Sequence, residues 1–324
     1  ALNSVGQRET DYADRDIAPI ESTKTKFLIR LEVADKAGVL ASIATTFANH
    51  GVSIQTVNQS GRNSDAEVTI VTHLATEGEL KSTVASLKAM DIVNNISSVI
   101  RVPCGAYGSG GPYHSGCIES AILSVRGIKV VYPSNAADMK GLLKAAYYDP
   151  NPVVVFEHKG LYWSKVPGTA GAKTVEPDEH YVVPIGKGRV HLDCSSEALE
   201  DGDSCAVITY GMGVYWAEAA AKKFPGRVEV IDLRSLYPCD EKLVMETVKK
   251  HGKVLVLTEE QRLNSFAEAL AGRINEQCFR YLDQPVRVFG ALNLPAIPLN
   301  EFLEKEMLPS AEKVEKELQI LLES

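Results

Sequence analysis

Two patterns of hydrophobic spacing that do not belong to one domain meet near Pro103, and this change constrains the fold more than any other feature. Before it, Phe27 to Val33 alternates apolar and polar residues like a half-buried strand. Val39 to Asn49 then places apolar side chains at 39, 40, 43, 44 and 47, the spacing of one helix face. His50-Gly51 ends that helix, with Gly51 free to take the left-handed conformation. Strands are expected over 52–57 and 66–73. Thr76 and Glu79 have capping-box spacing for a helix reaching about Met90, and residues 94–102 complete the set as a fourth strand. The order βαββαβ predicts a ferredoxin-like sandwich over residues 24–102. Residues 1–23 are polar and aperiodic and are expected to be a linker remnant.

After Pro103 the strands become short and wholly apolar and alternate with amphipathic helices, as in a parallel α/β sheet covered on both faces. Gly105 to Gly111 reads as a glycine-rich loop, 128–132 and 152–156 as buried strands, and 135–148 as a helix capped by Ser134. Residues 103–157 form a first α/β segment. Residues 158–200 lack periodicity and predict a linker. A second α/β domain spans 201–324, with strands near 204–209, 228–232, 253–257 and 286–289. Its helices fall near 213–223, 240–250, 264–279 and 310–322. The class is α/β throughout.

Charge excludes some functions. The net charge is −8, the acidic residues are spread along the chain, and no Lys/Arg block offers an electrostatic footprint for nucleic acid or an anionic membrane. No apolar run approaches the length of a membrane span, and the polar start does not have the form of a signal peptide. Six widely spaced cysteines without a CxxC pair predict reduced thiols and a cytoplasmic location.

Two resemblances attach to the two halves. LEVADKAGVLASIATTFANHGVSIQTVNQSGR and SSVIRV resemble the C-terminal end of bacterial homoserine dehydrogenase, including its ACT regulatory domain. The turn Asp35-Lys36-Ala37-Gly38-Val39-Leu40 delivers a strand to a helix N-terminus, whose free N–H groups suit an amino-acid carboxylate. Asp35 would take the ammonium and Gly38 would let the ligand approach. The resemblance implies threonine. The alternative is that Asp35 only caps the helix of a dimerisation module. The family usually has Pro where Ala37 stands.

GAYGSGGPYHSGCIES, GIKVVYPSNAADMKGLLKAAYYDPNPVVVFEHKGLYW, VEVIDLRSLYPCDEKLV and LTEE are similar to the beta subunit of the thiamine-dependent decarboxylating component of 2-oxo acid dehydrogenases. That resemblance implies a truncated pyrimidine-binding segment followed by a transketolase C-terminal-like domain. It also implies thiamine diphosphate with Mg²⁺, an alpha-subunit partner, a lipoyl acyltransferase core, and a homodimer or heterotetramer. His114, with Ser115 beside it, falls at the family's active-site histidine, where an imidazole suits proton transfer. The carbonyl of Ala146 with Asp149 and Asn151 matches a loop that binds a monovalent cation, K⁺, in some members. Asp-Pro-Asn is also an ordinary turn.

Several parts expected of that family are missing from the sequence. The half of the pyrimidine domain that carries the cofactor-protonating glutamate is replaced by the ACT segment. The diphosphate motif GDG…NN has no counterpart beyond Gly202-Asp203-Ser204. Tyr210-Gly211-Met212-Gly213 lacks the last glycine of a nucleotide fingerprint, which Trp216 replaces. Three functions therefore compete: an enzyme subunit inactive alone, an amino-acid-sensing module, and a dimerisation or docking remnant of a chimeric chain.

Overall fold

The structure is a computed structural model and describes residues 19–62, 65–97, 99–107, 110–162, 164 and 166–323. Most of the expected leading linker and two positions of the glycine-rich loop, 108 and 109, lie outside the described residues. The chain divides into two units, Ala1–Ser97 and Ser98–Ser324.

The first unit is the expected sandwich. Strand Leu28–Ala34 turns Ile29, Leu31 and Val33 inward, and helix Val39–Asn49 lays Val39, Ile43 and Phe47 over them at i, i+4 and i+8. Gly51, at φ 75°, follows the helix end as its sequence requires. Helix Glu77–Lys88 opens with the predicted capping box: Thr76 Oγ1 accepts from the Glu79 N–H at 3.2 Å, and Thr76 N–H donates to Glu79 Oε2 at 2.7 Å. The antiparallel sheet runs Ile54–Arg62, Asp65–Thr72, Leu28–Ala34, Val93–Ser97, the order of a ferredoxin-like fold.

The strand expected over 94–102 is two strands. Val93–Ser97 closes the first unit, whereas Val99–Cys104 pairs in parallel with Val153–His158 in the second. The shared apolar string had concealed the division between the two units, which falls five residues before Pro103.

In the second unit, one sheet runs Arg189–Leu192, Val228–Asp232, Cys205–Thr209, Val254–Gln261, Arg287–Ala291. Two of its three inner strands, Val228–Asp232 and Cys205–Thr209, are buried at every position, because helices cover both faces. Val244, Val248, Phe266, Leu270 and Ile274 cover one face; Val314, Leu318 and Leu321 cover the other. The expected linker 158–200 is partly a misreading. Its end forms the antiparallel edge strand Arg189–Leu192 and a short helix, Ser196–Glu200, which the scattered polar residues concealed.

A smaller sheet runs Ser235–Tyr237, Lys129–Val131, Val153–His158, Val99–Cys104. Its first strand comes from the C-terminal domain and is antiparallel to its neighbour. Val130, Tyr132, Val154 and Phe156 share one core with Ile208, Ile231 and Leu236. The two α/β parts are interlocked rather than joined by a linker. Ion pairs to the buried Asp138 reinforce the joint: Arg234 reaches it at 2.8 Å and Arg189 at 3.7 Å. Asn135, not Ser134, caps the helix Ala136–Tyr147; Ser134 instead donates to Asp232 at 2.5 Å.

Candidate active site

The candidate site forms where strand Val99–Cys104 ends. Gly105 turns the chain at φ +82°, and a Cβ there would lie 2.2 Å from His158 Nε2, so glycine is required both by conformation and by contact. The next N–H, of Ala106, donates to Glu259 Oε1 at 2.9 Å. Beyond the loop, Pro112 starts the single turn Gly111–His114. His114 is exposed and its backbone carbonyl accepts from the Lys159 ammonium. Ser115 beside it is fully buried, with no hydrogen-bond partner for its hydroxyl oxygen among the described residues. The two residues are thus adjacent but unequal: the imidazole is open to a reactant and the hydroxyl is not.

Beneath the loop lie carboxylates that no motif announced. Glu259 and Glu260 stand at the end of strand Val254–Gln261, and Glu119 starts the short helix Glu119–Leu123. His158 Nε2 meets Glu259 Oε2 at 2.6 Å, and Gly160 N–H donates to His158 Nδ1 at 3.1 Å, which fixes the ring. Burial alone would push the Glu259 carboxyl up, but His158 and the Ala106 N–H outweigh it and hold it below its ordinary range.

Glu260 accepts from the Ser120 hydroxyl at 2.6 Å and from its N–H at 3.1 Å, yet burial still raises it. Glu119 is fully buried, and among the described residues neither carboxyl oxygen finds a hydrogen-bond partner; burial first, then the Glu260 charge, push it well above the carboxylate range. Two neighbouring carboxyls are thus shifted in opposite directions, Glu259 down and Glu119 up. Glu259 and Glu260 border a cavity of about 320 Å³ that Cys117, Ile297 and Met307 also line. Nothing in the local sequence marks Glu119 as a site residue. The pairing of LTEE with FEH could have been suspected only if those two strands were known to converge.

Thiamine diphosphate is held through Mg²⁺ and donors to its diphosphate, and among the described residues no cluster of His, Cys, Asp and Glu ligand atoms lies at His114. Among the described residues, the one group of three or more His, Cys, Asp and Glu ligand atoms within reach of a common metal is Cys194, Glu229 and His251. Gly202-Asp203-Ser204 serves the fold: Asp203 pairs with Arg227, and Ser204 holds His251. Gly211 and Gly213 are likewise packing glycines, against Tyr132 and Thr209.

Ala146, Asp149 and Asn151 do come together at the end of their helix. There Asp149 is already matched by the Lys129 ammonium at 2.5 Å and by the Asn151 N–H and amide, both at 3.0 Å. Burial would raise the Asp149 carboxyl, but Lys129 and Asn151 outweigh it and hold it below its ordinary range. In the first unit, Asp35 does not cap the helix. The cap is Gly38, at φ 89° with no side-chain hydrogen bond, and a Cβ there would meet nothing within 4 Å. Asp35, Ala37, Gly38 and Leu40 are exposed around that helix end, while Val39 enters the core.

Fold and site together define a composite chain: an ACT-type module followed by α/β domains of the transketolase kind. Residues 27–91 match the family model of the ACT domain, 80–164 that of the transketolase pyrimidine-binding domain, and 195–314 that of the transketolase C-terminal domain. The longer part is similar to the 2-oxoisovalerate dehydrogenase subunit beta of Bacillus subtilis, with 36% identity over 69% of this chain and 65% of that one. It is also similar to the pyruvate dehydrogenase E1 component subunit beta of Rhizobium meliloti, with 35% identity over 67% of this chain and 44% of that one. The chain therefore spans less than two thirds of the length of these relatives. A split-gene transketolase, described as an inactive beta4 tetramer, shares the fold with a TM-score of 0.51 and 20% identity, over 69% of this chain and 66% of that one.

Proposed function

We propose that residues 98–324 act as a partial beta-type subunit of a thiamine diphosphate-dependent 2-oxo acid dehydrogenase. Such an enzyme carries out oxidative decarboxylation and acyl transfer to lipoamide. The chain would be inactive until an alpha subunit supplies the groups that hold the cofactor and Mg²⁺. The observation that carries this reading is the presentation of His114, an exposed imidazole on a turn pinned through its own carbonyl by Lys159. In that role His114 moves a proton at the reacting carbon, and Ser115, buried beneath, positions the turn. A lipoyl acyltransferase core would receive the product, and the setting would be cytoplasmic. K⁺ at Asp149 would have to displace the Lys129 ammonium, so the reading does not depend on it.

The test is turnover of 2-oxoisovalerate and of pyruvate with an artificial electron acceptor, using purified chain with and without the alpha subunit of a bacterial relative, thiamine diphosphate and Mg²⁺. No turnover is expected alone. With the alpha subunit, turnover should appear, and His114→Ala should lower it by about 10²–10⁴-fold. Silence with the alpha subunit, or turnover indifferent to His114→Ala, would sink the assignment.

A second reading rests on the uncapped helix at Gly38. We infer that it binds the carboxylate of a small amino acid, threonine by resemblance, with Asp35 on the ammonium. Calorimetry with threonine should give saturable heat that Asp35→Asn weakens at least tenfold. Absence of heat with the native chain rejects it.

A further inference from the structure

We propose that Cys194, Glu229 and His251 form a binding site for a transition-metal ion of the Zn²⁺ type. The site lies on the C-terminal domain, away from the loop that carries His114, and is independent of the function proposed above.

The three residues come from separate elements. Cys194 follows the edge strand Arg189–Leu192, Glu229 lies in the neighbouring strand Val228–Asp232, and His251 ends the helix Glu241–His251. One ligand atom from each lies within 4.8 Å of the others. Glu229 Oε2 is 3.9 Å from Cys194 Sγ and 3.4 Å from His251 Nε2. Tetrahedral zinc with bonds of about 2.0–2.3 Å spaces its ligand atoms roughly 3.3–3.8 Å apart, so small side-chain shifts suffice. Thiolate, imidazole and carboxylate together select zinc-like ions over Mg²⁺ or Ca²⁺.

The second observation concerns His251. Its side chain is completely buried, and among the described residues Nε2 has only the long 3.4 Å approach to the Glu229 carboxylate. Nδ1 is held by Ser204 Oγ at 2.8 Å. When Nδ1–H is donated to that oxygen, Nε2 turns its lone pair into the space shared with Glu229 and Cys194, which is the usual outer support of a metal-ligating histidine. In the structure the cation beside Glu229 is the Lys250 ammonium, which also lies 3.4 Å from Asp193. Lys250 is partly exposed and can swing to solvent when the metal enters. Cys194 is half-buried, so its thiol proton passes to solvent as the metal–sulfur bond forms, and the fourth position is left for water or Asp193.

Bound there, the ion would tie the segment that connects the two α/β parts to the sheet. The experiment uses the full chain, freed of metal, titrated with Zn²⁺ against a chromogenic chelator, and separately with Co²⁺. One equivalent of Zn²⁺ should bind and raise the thermal midpoint, and Co²⁺ should give a thiolate charge-transfer band. Cys194→Ser should abolish the band and weaken Zn²⁺ at least tenfold; His251→Gln should weaken Zn²⁺ similarly. Lys250→Met, which removes the competing ammonium, should tighten binding. Cys239→Ser, a thiol elsewhere in the domain, should change nothing. Because His251 is buried, its variant is interpreted only if its circular dichroism matches the parent; the half-exposed Cys194 keeps the test decisive otherwise. Binding that survives Cys194→Ser, absence of the cobalt band, or Zn²⁺ bound no more tightly than Mg²⁺ would overturn the proposal.

Discussion

Replacing His158 with leucine should lower the unfolding free energy by about 3–5 kcal/mol, the usual cost of leaving a buried carboxylate without its partner. The substitution leaves Glu259, itself 5% exposed, with the Ala106 N–H and the Cys117 thiol as weaker support. The expense comes from the stranded charge rather than from the lost attraction, so a second substitution should return much of it. His158→Leu with Glu259→Met should be more stable than His158→Leu alone, although neither parent bond is then made.

The sign of the pH effect follows from the direction of the Glu259 shift. A carboxyl held below its unfolded value contributes stability that is fully present above that value. This contribution is lost as pH falls through the lower folded value. His158→Leu should therefore blunt acid sensitivity on the low side of the ordinary carboxylate range. Urea titrations of the four chains of the double-mutant cycle measure this. A single-variant cost below about 1 kcal/mol would show that the pair does not hold the two sheets together.

Glu119→Met should act in the opposite direction and stabilise the chain by about 1–3 kcal/mol near neutral pH, the penalty of a buried polar group without partners. Methionine is close in volume and flexible enough to fill the space without strain. The gain should grow with pH. A carboxyl whose folded value is raised binds more protons in the native state than in the unfolded state, so native stability falls as pH rises above the unfolded value. Glu119→Gln separates the two effects: it keeps unpartnered polar atoms but cannot ionise, so it should flatten the pH dependence with a smaller gain. If Glu119→Met is destabilising at pH 7, the carboxyl has a partner that the folded chain acquires in solution.

The first unit was legible because each local signal agreed with the next. The spacing of Val39, Ile43 and Phe47, the stop at Gly51 and the Thr76–Glu79 box all concern residues a few positions apart. The apolar strands of the C-terminal domain were legible for the same reason, since five consecutive buried residues leave little alternative. What could not be read was whatever depends on long-range pairing. Arg189–Leu192 is half-exposed and short, and Ser235–Tyr237 has three residues, so neither carries a periodic signal.

The residues 94–102 failed for another reason: both neighbouring sheets accept an apolar strand there, and only pairing decides which sheet takes which half. In the candidate site, His114 stood out through its motif. Its supporting carboxylates did not, because Glu119 and Glu260 are brought to one place from 141 positions apart and read individually as surface acids. For Asp35 the alternative to an ammonium ligand was a helix cap, and the cap is Gly38 instead.

The strand that the small sheet borrows from the C-terminal domain sets a timetable for synthesis. Lys129–Val131 acquires its outer neighbour only when Ser235–Tyr237 has been made, roughly a hundred residues later. At about 5–20 residues per second that is a delay of roughly 5–20 s. During it, Val130, Tyr132, Val154 and Phe156 lack the partners that later bury them. The first unit, complete by Ser97, waits for nothing downstream. On the ribosome this chain should therefore present a finished module followed by a sticky, half-built sheet, and that interval is when a chaperone that binds exposed apolar strands would find it.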